Sequence, residues 1–407
     1  MSTSLLYHAF GVRGYRYVST SYLEGHVVFR IEAKPEEVRC SACGSQEVVR
    51  RGSVHRTFRS VPIGGKGVLI GLEVPRLSCG CCGMVRQIEL GFAEPLRRHT
   101  KAFARYALEL LRSMTIQDVA RHLQVGWDTI KEIQANNLQR RFGKPKLHKL
   151  KHLRHLAIDE ISIGHGHRYL TVVLDLDSGA VVFVSEGKKA ESLLPFWRRL
   201  RSSRAKIKAV AMDMSAAYIG AVRDYRPDAQ IVFDHFHVIK LMNEKLSDLR
   251  REMYREAVDK LHKDVLKGTR WLLLKNPENL DPQRDEPQRL QEALRLNQPL
   301  ATAYYLKEDL GQFWEQPHKT AARNFLTSWY LRAMGSGIRV MHQMAKTLLL
   351  HAEGLLAWYD YPISTGPLEG TNNKIKTMQR QAYGFRDQEF FKLKIYAIHE
   401  TKYALVG

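Results

Sequence analysis

Four cysteines set the tightest constraint on this chain. Cys40-Ser-Ala-Cys43 and Cys79-Gly-Cys-Cys82 are two C-x-x-C pairs separated by 36 residues. All five cysteines of the sequence lie between Cys40 and Cys82. In a reducing compartment such clustering points to a metal rather than to disulfides. Each pair can present two thiolates to one tetrahedral Zn²⁺, and four soft ligands close a structural site. The expectation is one structural zinc on Cys40, Cys43, Cys79 and Cys82, with unliganded thiols as the alternative. Cys81 leaves the second pair ambiguous, and His55 is a possible substitute ligand. A metal here stabilises a small domain that has little core of its own.

Residues 1–95 around these cysteines show strand-like alternation, as in HVVFRIEA and KGVLIGLEV, and read as a zinc-binding domain. The 407 residues leave room for one or two further domains, and an apolar fraction of 44% is that of a globular chain. Lys and Arg number 63 against 42 Asp and Glu, a formal net charge of +21. Self-repulsion at that charge disfavours compactness, so a polyanionic partner is expected, and nucleic acid is the commonest. A generally basic proteome is the alternative. No stretch reaches the roughly 18 apolar residues of a membrane span. The start, MSTSLLYHAFGVRGYRY, lacks a signal-peptide core. A cytoplasmic location follows as an expectation.

Residues 96–142 read as a helix-turn-helix domain. Thr115 can cap a helix whose apolar positions are Ile116, Val119, Ala120 and Leu123. Gln124-Val125-Gly126 is the turn, with Gly126 able to take positive φ. A second helix starts near Trp127 and turns Ile130 and Ile133 inward. Asp128, Thr129, Lys131 and Gln134 then face outward, toward bases or phosphates of a major groove. Arg140 and Arg141 extend the basic side. Two packing helices of an ordinary α-domain are the alternative. A basic linker, 143–154, follows; no acid occurs between Glu132 and Asp159.

Residues 155–237 carry a β/α pattern. HLAID is a strand, and RYLTVVLDL and AVVFVSE form a hairpin across Asp177-Ser178-Gly179. Helix ESLLPFWRRL, strand IKAVAMD, helix SAAYIGAVRDY and strand AQIVFD follow. Three strands able to pair antiparallel, then two delivered by helical crossovers, suit a mixed sheet covered by helices. Residues 238–360 read almost wholly helical. Asp159 and Asp213 each end a strand, where carboxylates of neighbouring strands can converge on hard cations. Two Mg²⁺ (or Mn²⁺) ions roughly 4 Å apart would serve an in-line phosphoryl transfer. Solvated strand-end carboxylates are the alternative.

A third acid arrives in 361–407. Ser364 or Thr365 can cap a helix with Pro367 in its first turn, which also holds Glu369. Asn372, Asn373, Lys376 and Arg380 follow at offsets of 3, 4, 7 and 11, one helical face. An acid beside amides and cations suits a metal next to a phosphate backbone, with Asn373, Lys376 and Arg380 on the DNA. A solvated charged face is the bland reading.

In order and spacing these parts resemble the ISL3 family of bacterial insertion-sequence transposases. The resemblance rests on the cysteine pairs, on segment 115–142, and on LAIDEIS, AVAMDMS, FDHFHVIKLMNE, TRWLLLKNPENL and GPLEGTNNKIKTMQRQAYGF. It covers nearly the whole chain. It implies a multidomain α+β protein whose RNase-H-like catalytic core, 155–237 and 361–407, is interrupted by the helical insertion 238–360. It implies Asp159, Asp213 and Glu369 as the catalytic acids and magnesium ligands of a DDE transposase. Cut-and-paste movement between terminal inverted repeats follows, on double-stranded repeat and target DNA, by a nucleoid-associated dimer or larger assembly. A silent DNA-binding regulator or a nuclease without strand joining are the rival functions. Gly80-Cys81 and Gly366-Pro367-Leu368 depart from the family's pattern.

Other residues are weighed and mostly declined. Asp234 and His237, in a D-x-x-H arrangement, either shape DNA contacts or simply link a strand to the next helix. His165 and His167 read as loop residues rather than ligands, and Asp175 and Asp177 as turn acids. Trp271 could stack on a base, but burial in the insertion's core is the favoured expectation.

Overall fold

Two left-handed turns organise the first sheet. Glu24-Gly25 takes φ of 48° and 77°, and Gly64-Gly65 takes 54° and 81°. Paired positive φ values are what a two-residue hairpin of the right twist requires. The first turn joins β1 (Tyr15–Leu23) to β2 (His26–Ala33), and the second joins β3 (Val48–Ile63) to β4 (Lys66–Cys79). Strand order is β1-β2-β4-β3, with β5 (Val85–Gln87) also on β4. The alternation in HVVFRIEA puts Phe29 and Ile31 inward, against Phe58, Ile70, Leu72 and Phe92. The computed structural model describes residues 5–143, 147–164, 166 and 168–399, so His165 and His167 lie outside the described residues.

The chain forms two compact units, Met1–Gly143 and Lys144–Gly407. The first also holds a short helix α1 (Leu5–Phe10) and three more, α2 (Lys101–Leu110), α3 (Ile116–Leu123) and α4 (Trp127–Phe142). The second begins with one helical turn, α5 (Leu147–Leu150). Leu150 and Leu153 are buried in that unit's core, so the end of the basic segment is packed rather than free.

The second unit is built on β6 (His155–Gly164), β7 (Arg168–Asp175), β8 (Ala180–Glu186), β9 (Ala209–Met212) and β10 (Gln230–Phe233). Their order is β10-β9-β6-β7-β8. β6, β7 and β8 pair antiparallel, whereas β9 and β10 join in parallel. This is the mixed sheet expected from the pattern. AVAM is apolar throughout because β9 is central and covered on both faces. One face packs on α6 (Leu194–Ser203) and α7 (Ala216–Tyr225) through Phe196, Trp197, Leu200 and Tyr218. The other packs on α15 (Gly366–Gln381) and α16 (Gln388–Ala397) through Leu368, Ile375, Phe391 and Ile395.

Between β10 and α15 the chain is helical. It comprises α8 (His235–Glu256), α9 (Lys260–Gly268), α10 (Glu286–Leu296), α11 (Gln298–Gly311), α12 (Lys319–Gly335), α13 (Arg339–Leu350) and α14 (Ala352–Leu356). Val238, Met242 and Leu246 of α8 belong to one continuous core with Met341, Met344 and Leu348 of α13 and with Ile158 of the sheet. Buried Trp329 donates its Nε1–H to the Leu306 carbonyl at 2.8 Å. No helix among the described residues is long and apolar enough to cross a membrane.

The return of the chain to the sheet depends on a small residue. A Cβ on Gly354 of α14 would lie 2.4 Å from the ring of Phe233, the last residue of β10. Replacing Gly354 with Ala should therefore destabilise the second unit by about 1–3 kcal/mol, the usual range for overpacking. Chemical denaturation monitored by tryptophan fluorescence checks this; unchanged stability would mean that the ring moves aside freely.

Candidate functional site

Each cysteine pair is followed by a glycine of positive φ, Gly44 at 77° and Gly83 at 67°. That turn lets the Gly44 N–H reach the Cys40 carbonyl at 2.9 Å and the Gly83 N–H reach the Cys79 carbonyl at 3.1 Å. Two matching knuckles result, one ending β4. Their four sulfurs lie within 4.8 Å of one another, with Cys40–Cys82 and Cys43–Cys79 at 3.6 Å. Four sulfurs at about 2.3 Å from a tetrahedral zinc stand about 3.8 Å apart, so the set fits that ion. Backbone N–H groups of the first knuckle, Cys43 and then Ala42, hold the Cys40 thiol down to about 6, whereas the sulfurs of Cys79 and Cys82 push the Cys43 thiol up and burial pushes up that of Cys82, so four thiolates together call for a cation. Cys81 stands outside the group, exposed. His55 also stands outside it, bonded to Glu73 at 3.0 Å.

The helix-turn-helix closes differently from expectation. Thr115 does cap α3, accepting from the Asp118 N–H at 3.2 Å. The left-handed residue is Gln124 (φ 54°), not Gly126, which is extended (φ −64°) and serves as N-cap of α4. The reason is positional. A helix ending at Leu123 needs its left-handed cap in the next residue, where Gln124 N–H bonds the Arg121 carbonyl and Val125 N–H bonds the Ala120 carbonyl. Val119, Leu123, Ile130 and Ile133 form the small core of α3 and α4. On α4, Asp128, Arg140 and Arg141 are exposed. Thr129, Lys131 and Gln134 are half-buried. Lys131 leans over the Trp127 ring at 5.5 Å, and the Gln134 Oε1 is buried without a partner.

Strand register builds the acidic centre. Ala157 of β6 pairs with Ala211 of β9, and Ala211 pairs with Val232 of β10, all in parallel. Side chains alternate with a period of two, so two residues further along each strand one face receives Asp159, Asp213 and Asp234. Three carboxylates thus stand in a row across the sheet, Asp213 and Asp234 directly after β9 and β10. Asp159 does not end its strand as the pattern suggested but sits mid-way along β6, which runs on to Gly164 in its antiparallel pairing with β7. Burial, and then the Asp213 charge, pushes the Asp159 carboxyl above its ordinary range. Glu160, unmarked in the sequence reading, behaves alike through burial and then the charges of Asp213 and Asp159. A cluster of raised carboxyls is short of positive charge, and its hard oxygen donors fit a divalent cation.

α15 packs on β6 and meets this row. Asn372 Nδ2 donates to Asp159 Oδ2 at 2.8 Å, while its Oδ1 is buried without a partner. Asn372 is buried, whereas Glu369, Asn373, Lys376 and Arg380 are exposed. Thr365 is the helix N-cap but makes no side-chain cap. Its hydroxyl instead donates to Asp234 Oδ2 at 2.7 Å. Asp159, Asp213 and Glu369 do not close into a tight cluster: among the described residues only the four cysteines bring three or more such donors that close. From α8, His237 and Lys240 act electrostatically on Asp159, drawing its carboxyl down against the effect of burial. With Asp213, Ser215, Thr347 and His351 they line a cleft of about 320 Å³.

Asp175 is a turn acid, accepting from the Ser178 N–H at 3.2 Å, and Asp177 bonds His155 at 2.8 Å. Trp271 is not buried in the insertion's core: it is 64% exposed, with the Arg270 guanidinium 4.6 Å from its ring centre. It precedes a short 3₁₀ turn whose Leu272 and Leu273 take the buried positions.

Sequence models of known families match three stretches of the chain. One described as a transposase, of the ISL3 type, matches residues 156–395. The helix-turn-helix domain of transposase family ISL3 matches 88–135. The zinc-finger of transposase IS204/IS1001/IS1096/IS1165 matches 36–82. The transposase for insertion sequence element IS1001 of Bordetella parapertussis is 36% identical over 361 residues, 88% of each chain. That for IS1557 of Mycobacterium tuberculosis is 28% identical over 375 residues, 86% of this chain and 83% of its own. Among solved structures, a Drosophila P element transposase strand transfer complex aligns with a TM-score of 0.41 and 9% identity, over 74% of this chain and 92% of that one.

The cysteine geometry yields a direct test. Metal analysis of purified protein should find about one zinc per chain. Replacing Cys40 and Cys43 together with Ser should remove it and destabilise the β1–β5 sheet while the second unit stays folded. Zinc retained by that double variant would refute the ligand set, whereas a Cys81→Ser protein should keep its metal.

Proposed function

The chain belongs to the ISL3 family of insertion-sequence transposases, with zinc-finger, helix-turn-helix and transposase regions in that order, and on this footing we propose its chemistry. The enzyme binds the terminal inverted repeats of its element, cleaves the DNA by hydrolysis and joins the freed 3′-hydroxyls to target DNA. Asp159, Asp213 and Glu369 are the acids that hold two Mg²⁺ or Mn²⁺ ions, and the four cysteines hold one structural zinc. The observation that carries this reading is the row of carboxylates on one face of the sheet, with α15 bonded to it through Asn372. Numbered along the chain, the sheet order 3-2-1-4-5 supports an RNase-H-like core interrupted by residues 238–360.

Cations bound there would acidify the attacking water or 3′-hydroxyl and neutralise the leaving 3′ oxygen. The protein's own groups do the rest. Asp159 and Asp213 present oxygens from two adjacent rigid strands, which fixes their separation. His237 and Lys240 on α8 offset the acids' charge and can meet a phosphate oxygen of the DNA. Asn373, Lys376 and Arg380 on the exposed side of α15 contact the backbone. Thr129, Lys131, Gln134, Arg140 and Arg141 are the reading surface of the helix-turn-helix. Two DNA ends must be held together, so the working form is at least a dimer, acting on nucleoid DNA in the cytoplasm.

The test pairs a cleavage-and-joining assay on repeat-ended DNA with a binding assay on the same DNA. Glu369→Gln, Asp159→Asn and Asp213→Asn should each lose at least about 100-fold in cleavage rate, roughly 3 kcal/mol of barrier. Binding should hold or tighten, because negative charge near phosphates is removed. Near-normal cleavage by Glu369→Gln would move the third acid elsewhere. Cleavage without joining in the unaltered protein would make it a nuclease. Lys376→Ala and Arg380→Ala should weaken binding to all sequences alike, each lowering the salt slope by about one.

A further inference from the structure

We propose that Asp234, Thr365 and Asn372 form a two-point brace that sets where Glu369 stands along the row of acids. The inference rests on the reading of Asp159, Asp213 and Glu369 as metal ligands, and it assigns Asp234 a positioning role rather than a ligand's.

Thr365, Glu369 and Asn372 stand at offsets of 0, 4 and 7 at the start of α15, which is one stripe of a helix. The first and last of these bond to the strand-side carboxylates, and further along the helix Gln379 Nε2 also donates to the Ile163 carbonyl of β6 at 2.5 Å. Thr365 donates to Asp234 at 2.7 Å, and Asn372 donates to Asp159 at 2.8 Å. All four groups except Asp159 are at least nine-tenths buried, with Asp234 at 3%, Thr365 at 2% and Asn372 at 6% exposure. Water competes little for such bonds, and an unmade one is costly.

The spans agree. Asp234 follows β10, Asp159 lies on β6, and β9 runs between them. Two interstrand spacings amount to about 9.6 Å. Seven helical residues at 1.5 Å each amount to about 10.5 Å. α15 therefore bridges from the outer strand to the third strand in a single step of seven residues. A step of six or eight would rotate one anchor about 80–120° off the stripe. Glu369, four residues from Thr365, lies about 6 Å along this bridge. It stands between the two anchors, as β9, which delivers Asp213, stands between β10 and β6. The brace thus registers a helix from the far end of the sequence against the central acid, across a sequence separation of 131 residues.

Asp234 is the N-cap of α8 but makes no side-chain cap there, and among the described residues the bond from Thr365 is its side-chain hydrogen bond. Its carboxylate is committed to Thr365. Asn372 presents its amide nitrogen to Asp159, and that bond also orients the first acid.

The experiment measures Mn²⁺ affinity by titration calorimetry on the full chain, beside the Mg²⁺ concentration that gives half-maximal cleavage of repeat-end DNA. Thr365→Val keeps shape and removes the donor. Its Mn²⁺ affinity should fall at least tenfold and its Mg²⁺ midpoint rise to match, with DNA affinity unchanged. Thr365→Ser should restore both. Asn372→Leu breaks the other end independently and should act alike, which carries the test if Thr365→Val does not fold. Asp234→Asn keeps an acceptor oxygen and should stay within threefold of the parent. Trp329→Phe, which weakens the same unit elsewhere, should leave Mn²⁺ affinity unmoved. Parental Mn²⁺ affinity in both Thr365→Val and Asn372→Leu overturns the brace. So does an Asp234→Asn protein that loses metal as deeply as Asp213→Asn while Thr365→Val does not, because Asp234 is then a ligand. An active Glu369→Gln protein sinks the parent reading instead, whatever the brace variants do.

Discussion

The register of β6, β9 and β10 decides where the acids go. Three parallel strands, paired so that Ala157, Ala211 and Val232 stand side by side, leave no freedom for the residues two steps further on. Asp159, Asp213 and Asp234 must then emerge together on one face. A slip of one residue in any strand would send its acid to the opposite face. The apolar runs ahead of each acid hold the register, since Ile158, Val210, Met212 and Phe233 fill one side and Ala157, Ala211 and Leu368 the other. The centre is therefore a product of core packing that lies below it.

That placement has an electrostatic cost. Burial and mutual repulsion raise Asp159 and Glu160, and the surrounding groups answer it only in part. His237 and Lys240 lie near, Asn372 gives one hydrogen bond, and Glu160 interacts with Tyr218. A site left short of positive charge is strained in favour of a cation, which is how a fold can hold a metal centre ready.

Much of this was legible in the sequence because the signals are local. C-x-x-C-Gly knuckles, the Thr115 cap, the Asp177-Ser178-Gly179 hairpin and the β/α alternation each fit within a few residues or one strand period. Local reasoning failed where a choice depends on a neighbour's position. Gly126 is the obvious left-handed residue by type, yet the helix end puts that demand on Gln124. Thr365 is a natural capping residue, yet Asp234 takes its hydroxyl. Trp271 is large and apolar, yet two leucines fill the core beside it. Glu160 sits beside a marked acid and was overlooked because strand alternation sends it to the other face. Asn372 shares the helical face of Glu369 in the sequence, but offsets from Glu369 cannot tell which part of a broad face meets the sheet, so its bond to Asp159 is not legible there.

The contact between Thr365 and Asp234 has a further consequence, for the chain between them. Those residues mark the two ends of the helical segment from α8 to α14, so that segment leaves and rejoins the sheet at nearly one point. For a chain whose ends already meet, closure entropy grows only as the logarithm of length, and doubling it costs about 0.6 kcal/mol. Extra helices or longer connections at its outer end are thus nearly free thermodynamically, as long as α8 and α14 keep their seats. The acids tolerate a module of variable size because the two ends of its loop are clasped beside them.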